Sequence, residues 1–118
     1  MNLTELFRHQ TDLQTLAAGQ ALFTEGEQGE LMYVLMSGTA EILVHNKLVE
    51  AAGPGAILGE MAMIDEKSRS ASVIAKTGCT LLPIDRRRFD FMIQQTPNFA
   101  IHVMKVMAER LRSTDVML

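Results

Sequence analysis

Glu60 and Arg69 stand nine residues apart in the stretch of this sequence with the most chemistry in it. The run reads Gly53-Pro54-Gly55-Ala56-Ile57-Leu58-Gly59-Glu60-Met61-Ala62-Met63-Ile64-Asp65-Glu66-Lys67-Ser68-Arg69-Ser70-Ala71-Ser72-Val73. It describes a strand ending at a glycine, one short helical turn, a polar loop, and an arginine leading into the next strand. Gly59 has no side chain, so a ligand can come close to the backbone there. The amides that follow, from Glu60 through Met61 to Ala62, are the unpaired N–H groups of a helix start and suit an anion. Arg69 can return its guanidinium to the same anion through charge-assisted, bidentate bonds, and Ser70 adds a hydroxyl beside it. Glu60 has the wrong charge for that task; a carboxylate accepting from ribose hydroxyls fits. Anion donors and a sugar acceptor in one cassette describe a nucleotide-like ligand. The competing structural reading is a surface ion pair between Glu60 and Arg69, worth about 0–1 kcal/mol. These residues alone leave both readings open.

Other chemistries find less support. His9, His45 and His102 lie far apart, without the short spacing of a helix or barrel metal site. There is no Gly-x-Ser-x-Gly elbow and no P-loop. A barrel with three histidines keeps a metal-dependent, cupin-like enzyme as an alternative. Cys79 is the single cysteine, which rules out an internal disulfide or a Cys-rich zinc site, and it reads as packing at a turn-to-strand junction. The net charge of −3 argues against holding nucleic acid by bulk electrostatics. No apolar run approaches the roughly 20 residues that cross a bilayer. The start shows no basic region leading into an apolar one. A reduced, cytoplasmic setting is expected, without a membrane.

The elements that must position the cassette follow from punctuation and period. The 118 residues, 47% hydrophobic and 21% charged, support one folded domain. Between residues 20 and 85 short apolar pieces alternate with glycines: Gln20–Phe23, Leu31–Met36, Thr39–His45, Lys47–Ala51, Ala56–Leu58, Ser72–Ala75 and Thr80–Ile84. The pattern predicts a mainly β fold, a β-roll or jelly-roll barrel of about eight strands. Thr39–His45 alternates with period two, and Leu31–Met36 is apolar on both faces. Residues 4–16 read as short N-terminal helices. Asp85 caps a helix over Arg86–Gln95, Pro97 punctuates, and Asn98 can cap a final helix toward Leu118. That last helix carries two stripes: Ile101, Met104, Ala108, Leu111 and Leu118, and Val103, Met107 and Thr114. Two stripes imply two packing partners, the barrel and a second surface such as another copy of the helix; one wide core face is the plainer alternative.

Gly59-Glu60-x-Ala62-x-Ile64 followed by Arg69-Ser70-Ala71-Ser72-Val73 resembles the phosphate-binding cassette of cyclic nucleotide-binding domains, found in catabolite activators, kinase regulatory subunits and cyclic-nucleotide-gated channels. Phe23-Thr24-Glu25-Gly26-Glu27-x-Gly29, Met32-Tyr33-x-Leu35-x-Ser37-Gly38, Pro54-Gly55 and Leu82-Pro83-Ile84-Asp85 resemble the strands and turns of that family, so the likeness extends over nearly the whole chain. The resemblance implies a non-catalytic sensor whose ligand is a cyclic nucleotide, with no cofactor and no metal. It implies that Leu58, Gly59, Met61, Ala62, Arg69, Ser70 and Ala71 surround the cyclic phosphate and that Glu60 takes the ribose 2′-hydroxyl. It also implies that the last helix covers the base, with Arg110 and Thr114 as lid residues and Arg112 as a third candidate. Leu58 replaces the usual Phe and Ser68 the usual Pro. Family members with Ala after the cassette arginine prefer cAMP, and those with Thr there accept cGMP; Ser70 stands between, and cAMP is favoured. A degenerate fold serving as a protein interaction module without ligand is the alternative. A homodimer through the last helix, or an effector outside these residues, is the expected partner. No helix-turn-helix follows that helix here, so no DNA reading is expected of this chain.

Overall fold

Packing decides which of the glycine-bounded segments pair. In the computed structural model, which describes residues 1–117 and the side chains of 1–113, the order is α1 (Leu3–Leu6), β1 (Gln14–Leu16), β2 (Ala21–Phe23), β3 (Met32–Ser37), β4 (Ala40–Val44) and β5 (Lys47–Ala52). Then come β6 (Ile57–Leu58), a 3-10 turn (Glu60–Met63), β7 (Ser72–Ala75), β8 (Cys79–Ile84), α2 (Arg86–Gln95) and α3 (Asn98–Met117). Among the described residues the eight strands form two four-stranded antiparallel sheets, ordered β1-β8-β3-β6 and β2-β7-β4-β5. The fold is a β sandwich with one short helix before it and two after it.

The two-faced apolar character of β3 has its cause in two separate cores. Tyr33 and Leu35 point between the sheets, where they meet Phe23, Ile42, Leu58, Val73 and Leu81. Met32 and Val34 point the other way and meet Leu82 and Ile84 of β8 under the helices. Alternate residues of a strand face opposite sides, so a strand covered on both sides reads as continuous apolar sequence. Phe99 of α3 is fully buried in the outer core, edge-on to Phe7 at 6.2 Å and to Phe89 of α2 at 6.0 Å. Burying one such ring stabilises by roughly 1.5–3 kcal/mol. Asp85 caps α2 by accepting from the Arg88 amide at 2.8 Å.

One sequence expectation needs correction. The helices expected over residues 4–16 shrink to Leu3–Leu6, and Gln14–Leu16 is a strand. It pairs Gln14 with Leu81, Thr15 with Thr80 and Leu16 with Cys79. The reason is non-local: β8 has a free edge there, and the hydrogen bonds it offers outweigh the weak helical spacing of Leu6 and Leu13, both of which are exposed. The two stripes of α3 also differ in fate. Val103 is buried against the sandwich with Val106 and Met107 beside it, whereas Ile101, Met104 and Leu111 are exposed, Leu111 at 64%. Leu118 lies outside the described residues, and so does the side chain of Thr114.

Candidate ligand-binding site

The inner face of the β2-β7-β4-β5 sheet, the 3-10 turn after β6 and the middle of α3 enclose a shared hollow. Its inner part is lined by Phe23, Gly59, Glu60, Met61, Ala62, Arg69, Ser70, Ala71 and Arg110 among others. Its outer part, about 450 Å³, continues past Ile42, Val44, Val49 and Glu50 to Met107, Ala108, Leu111 and Ser113 of α3. That volume lies in the range of small-molecule sites. The cassette residues that the sequence singles out therefore converge in space, joined by Arg110 from a segment some forty residues later. Leu58 is the exception. It is fully buried in the core between the sheets, opposite Tyr33, and lines neither part of the hollow. Arg112 is exposed on the far side of α3 and lines neither part. The Thr114 side chain lies outside the described residues.

Gly59 turns the chain out of β6 at φ +74°, the left-handed region where a Cβ is strained. A side chain there would also meet Arg69 Nη1 at 2.6 Å and the Phe23 ring at 3.1 Å. The Ala62 amide, expected to serve an anion, donates to the Gly59 carbonyl at 3.2 Å. The open donors at the start of the turn are those of Glu60 and Met61, because the first amides of a helical turn have no partner within it.

Arg69 is only 9% exposed. Its backbone is pinned on both sides, with its amide donating to the Glu27 carbonyl at 2.8 Å and its carbonyl accepting from Gly26 at 2.9 Å. Its guanidinium lies over the Phe23 ring at 4.0 Å, a cation–π contact. Nη2 donates to the Leu31 carbonyl at 2.8 Å, and Nη1 makes a longer contact of 3.4 Å with the Gly59 carbonyl. Nε is buried with no hydrogen-bond partner among the described residues. Burial pulls the guanidinium below its ordinary pKa, and the nearby Tyr33 and Glu27 offset only part of that. Gly29 makes the position accessible: a Cβ there would sit 2.3–2.5 Å from the guanidinium.

Glu60 does not pair with Arg69. It is 5% exposed, and its Oε2 accepts from Arg110 Nη1 at 2.8 Å. Arg110 also donates to Glu50 of β5, from Nε at 3.0 Å and from Nη2 at 3.1 Å. Burial alone would lower the Arg110 guanidinium, but hydrogen bonds and charge from Glu50 and Glu60 outweigh it and hold the group above its ordinary value. The spacing Phe99, Val103, Val106, Arg110 already places that arginine on the barrel face of α3. The sequence does not single out Glu50, Phe23 or Gly29 as site residues. The signal for Glu50 was a lone carboxylate inside the apolar strand Leu48-Val49-Glu50-Ala51-Ala52. Nothing local marked the other two as neighbours of Arg69.

The hollow thus combines a buried cation that forms no ion pair with a carboxylate among the described residues, open amides, a fixed carboxylate and an apolar wall. It is equipped for an anion attached to a hydroxyl-bearing, partly apolar body. Among the described residues no three His, Cys, Asp or Glu side chains gather as metal ligands, and no helix is long and apolar enough to cross a membrane.

Comparison with known proteins gives concordant findings. The family model described as the cyclic nucleotide-binding domain matches residues 13–96. The cyclic AMP receptor protein of Thermus thermophilus is 31% identical over 103 residues, which cover 83% of this chain and 48% of that protein. A cyclic nucleotide-gated potassium channel of Mesorhizobium japonicum is 33% identical over 97 residues, covering 82% of this chain and 27% of the channel. The crystal structure of the Thermus thermophilus catabolite activator protein superposes with a TM-score of 0.79 at 26% identity, over 95% of this chain and 60% of that one. The chain spans about half or less of the length of these curated relatives.

Proposed function

The chain belongs to the cyclic nucleotide-binding domain family, and from that premise we propose that it is a non-catalytic sensor of a cyclic nucleotide, cAMP ahead of cGMP. The observation that carries this reading is Arg69, nine-tenths buried beside the open amides of Glu60 and Met61, with Nε unpartnered and no ion pair to a carboxylate among the described residues. Keeping such a cation in the interior is costly unless an anion compensates it. A cyclic phosphate supplies that anion, with the Ser70 hydroxyl and Ala71 closing its cradle. Glu60 accepts from the ribose 2′-hydroxyl. The base lies along Ile42, Val44 and Val49 under Met107 and Arg110 of α3. The preference for cAMP rests on the similarity to a protein named a cyclic AMP receptor, and Ser70 is compatible with it.

In this mechanism ligand tightens the cassette around Arg69, and the distal part of α3, joined to Glu60 through Arg110, moves with it. The ligand can shift that balance only by its differential affinity for the two helix positions. The exposed stripe of Ile101, Met104 and Leu111 is then the surface that reports the shift, to a second copy or to an effector. Titration calorimetry with cAMP and with cGMP tests the reading. Saturable heat with the tighter Kd for cAMP is expected; no heat from either nucleotide at millimolar concentration would overturn it in favour of a ligand-free interaction module.

A further inference from the structure

Arg110 serves two carboxylates unequally. The guanidinium edge that makes two bonds, Nε and Nη2, faces Glu50 at 3.0 and 3.1 Å. Only Nη1 reaches Glu60, at its Oε2. The hydrogen bond from Arg110 ends on Glu60 Oε2, and among the described residues none is made to Oε1. Glu50 belongs to β5, the edge strand of its sheet, outside the cassette, and its side chain remains 36% exposed. The cassette chemistry does not require a carboxylate at that position.

We propose that Glu50 is a positioning residue for the ribose-binding carboxylate: it occupies the two-bond edge of Arg110 and so keeps one oxygen of Glu60 open to a ligand hydroxyl. The argument is one of geometry and charge. A guanidinium facing a single carboxylate settles into the fork-to-fork arrangement that uses both oxygens. With Glu50 in place that edge is engaged on β5, and Glu60 is held by one bond, fixed in direction yet able to accept another. Without Glu50 the two bonds that hold this edge on β5 are lost, and it can turn toward Glu60 and take both of its oxygens. A neutral ribose hydroxyl would then have to displace a charge-assisted bond, which is about twice as strong as a neutral one. Glu50 therefore acts on the ligand through Arg110 and Glu60 and specifically on the sugar.

This role rests on the cyclic-nucleotide reading of the site, and the test separates the two. Calorimetry would compare cAMP with 2′-deoxy-cAMP on the unaltered protein and on Glu50→Gln, a swap that keeps the shape on a partly exposed edge strand. For Glu50→Gln the cAMP Kd is expected to rise about tenfold, the scale of one charge-assisted hydrogen bond. The Kd for 2′-deoxy-cAMP is expected to stay within about twofold, because the group that Glu50 acts on is missing from that ligand. In an Arg110→Gln background, Glu50→Gln is expected to add no further loss. Equal losses for both nucleotides, or an unchanged cAMP Kd, would overturn the role while leaving the cyclic-nucleotide reading intact. If the unaltered protein binds neither cAMP nor cGMP, the reading of the site falls and the role falls with it.

Discussion

Arg69 is held by neutral contacts: one short bond to the Leu31 carbonyl, a long one to Gly59, and the face of Phe23. Affinity and stability should therefore separate at this position. Arg69→Ala is expected to cost on the order of 2–5 kcal/mol of cAMP binding, as removal of a buried charge partner does. The thermal midpoint of the free protein should hold or rise, because a buried polar atom without a partner disappears with the side chain. Gly29→Ala gives the same split by another route. Its Cβ would collide with the movable end of Arg69 rather than with backbone, so the guanidinium shifts while the fold stays. Calorimetry and thermal melts on both variants check this. An unchanged Kd in Arg69→Ala would refute the phosphate assignment, and a collapse of Gly29→Ala stability would refute the movable-neighbour account.

Among the elements, α3 connects the site to the rest of the fold and has two different halves. Its first turns are anchored by Phe99 and Val103 in the outer core, whereas from Met107 onward it rests on the hollow and on the Arg110 bridges. Local opening is easier where fewer buried apolar contacts oppose it. Amide exchange should therefore be slow around Val103 with or without ligand, and should slow on saturation with cAMP from Met107 to Ser113. Equal protection of that distal segment in both states would remove α3 as the moving part. The same element explains what was legible in the sequence. The helical period of α3, the cap at Asp85 and most of the strand segments are local patterns, and each is found close to where its pattern places it. β1 is not legible locally because its pairing with β8 joins residues far apart in sequence, and the burial of Leu58 is not because a strand's end next to a cassette can still point into the core. The Glu50 link to Arg110 spans sixty residues, and nothing in either segment alone announces the other.

At the scale of the molecule, the proposed function has an acidic chain capturing an anion. The net charge of −3 opposes that capture over long distances, so attraction must come from a cation that solvent and salt reach poorly. Arg69, at 9% exposure, meets that requirement, whereas Glu50 and Glu60 both form ion pairs with Arg110. A site of this kind should show little dependence on ionic strength. The Debye length falls from about 14 Å near 0.05 M salt to about 4 Å near 0.5 M, which weakens exposed charges and largely spares buried pairs. The cAMP Kd is accordingly expected to change by less than about threefold across that range, measured by calorimetry in sodium chloride. A surface anion site, such as the run Arg86-Arg87-Arg88 would make, should instead weaken about tenfold or more over the same interval. A steep salt dependence would therefore place the captured anion on the outer arginines and not on Arg69, whatever the affinity proved to be.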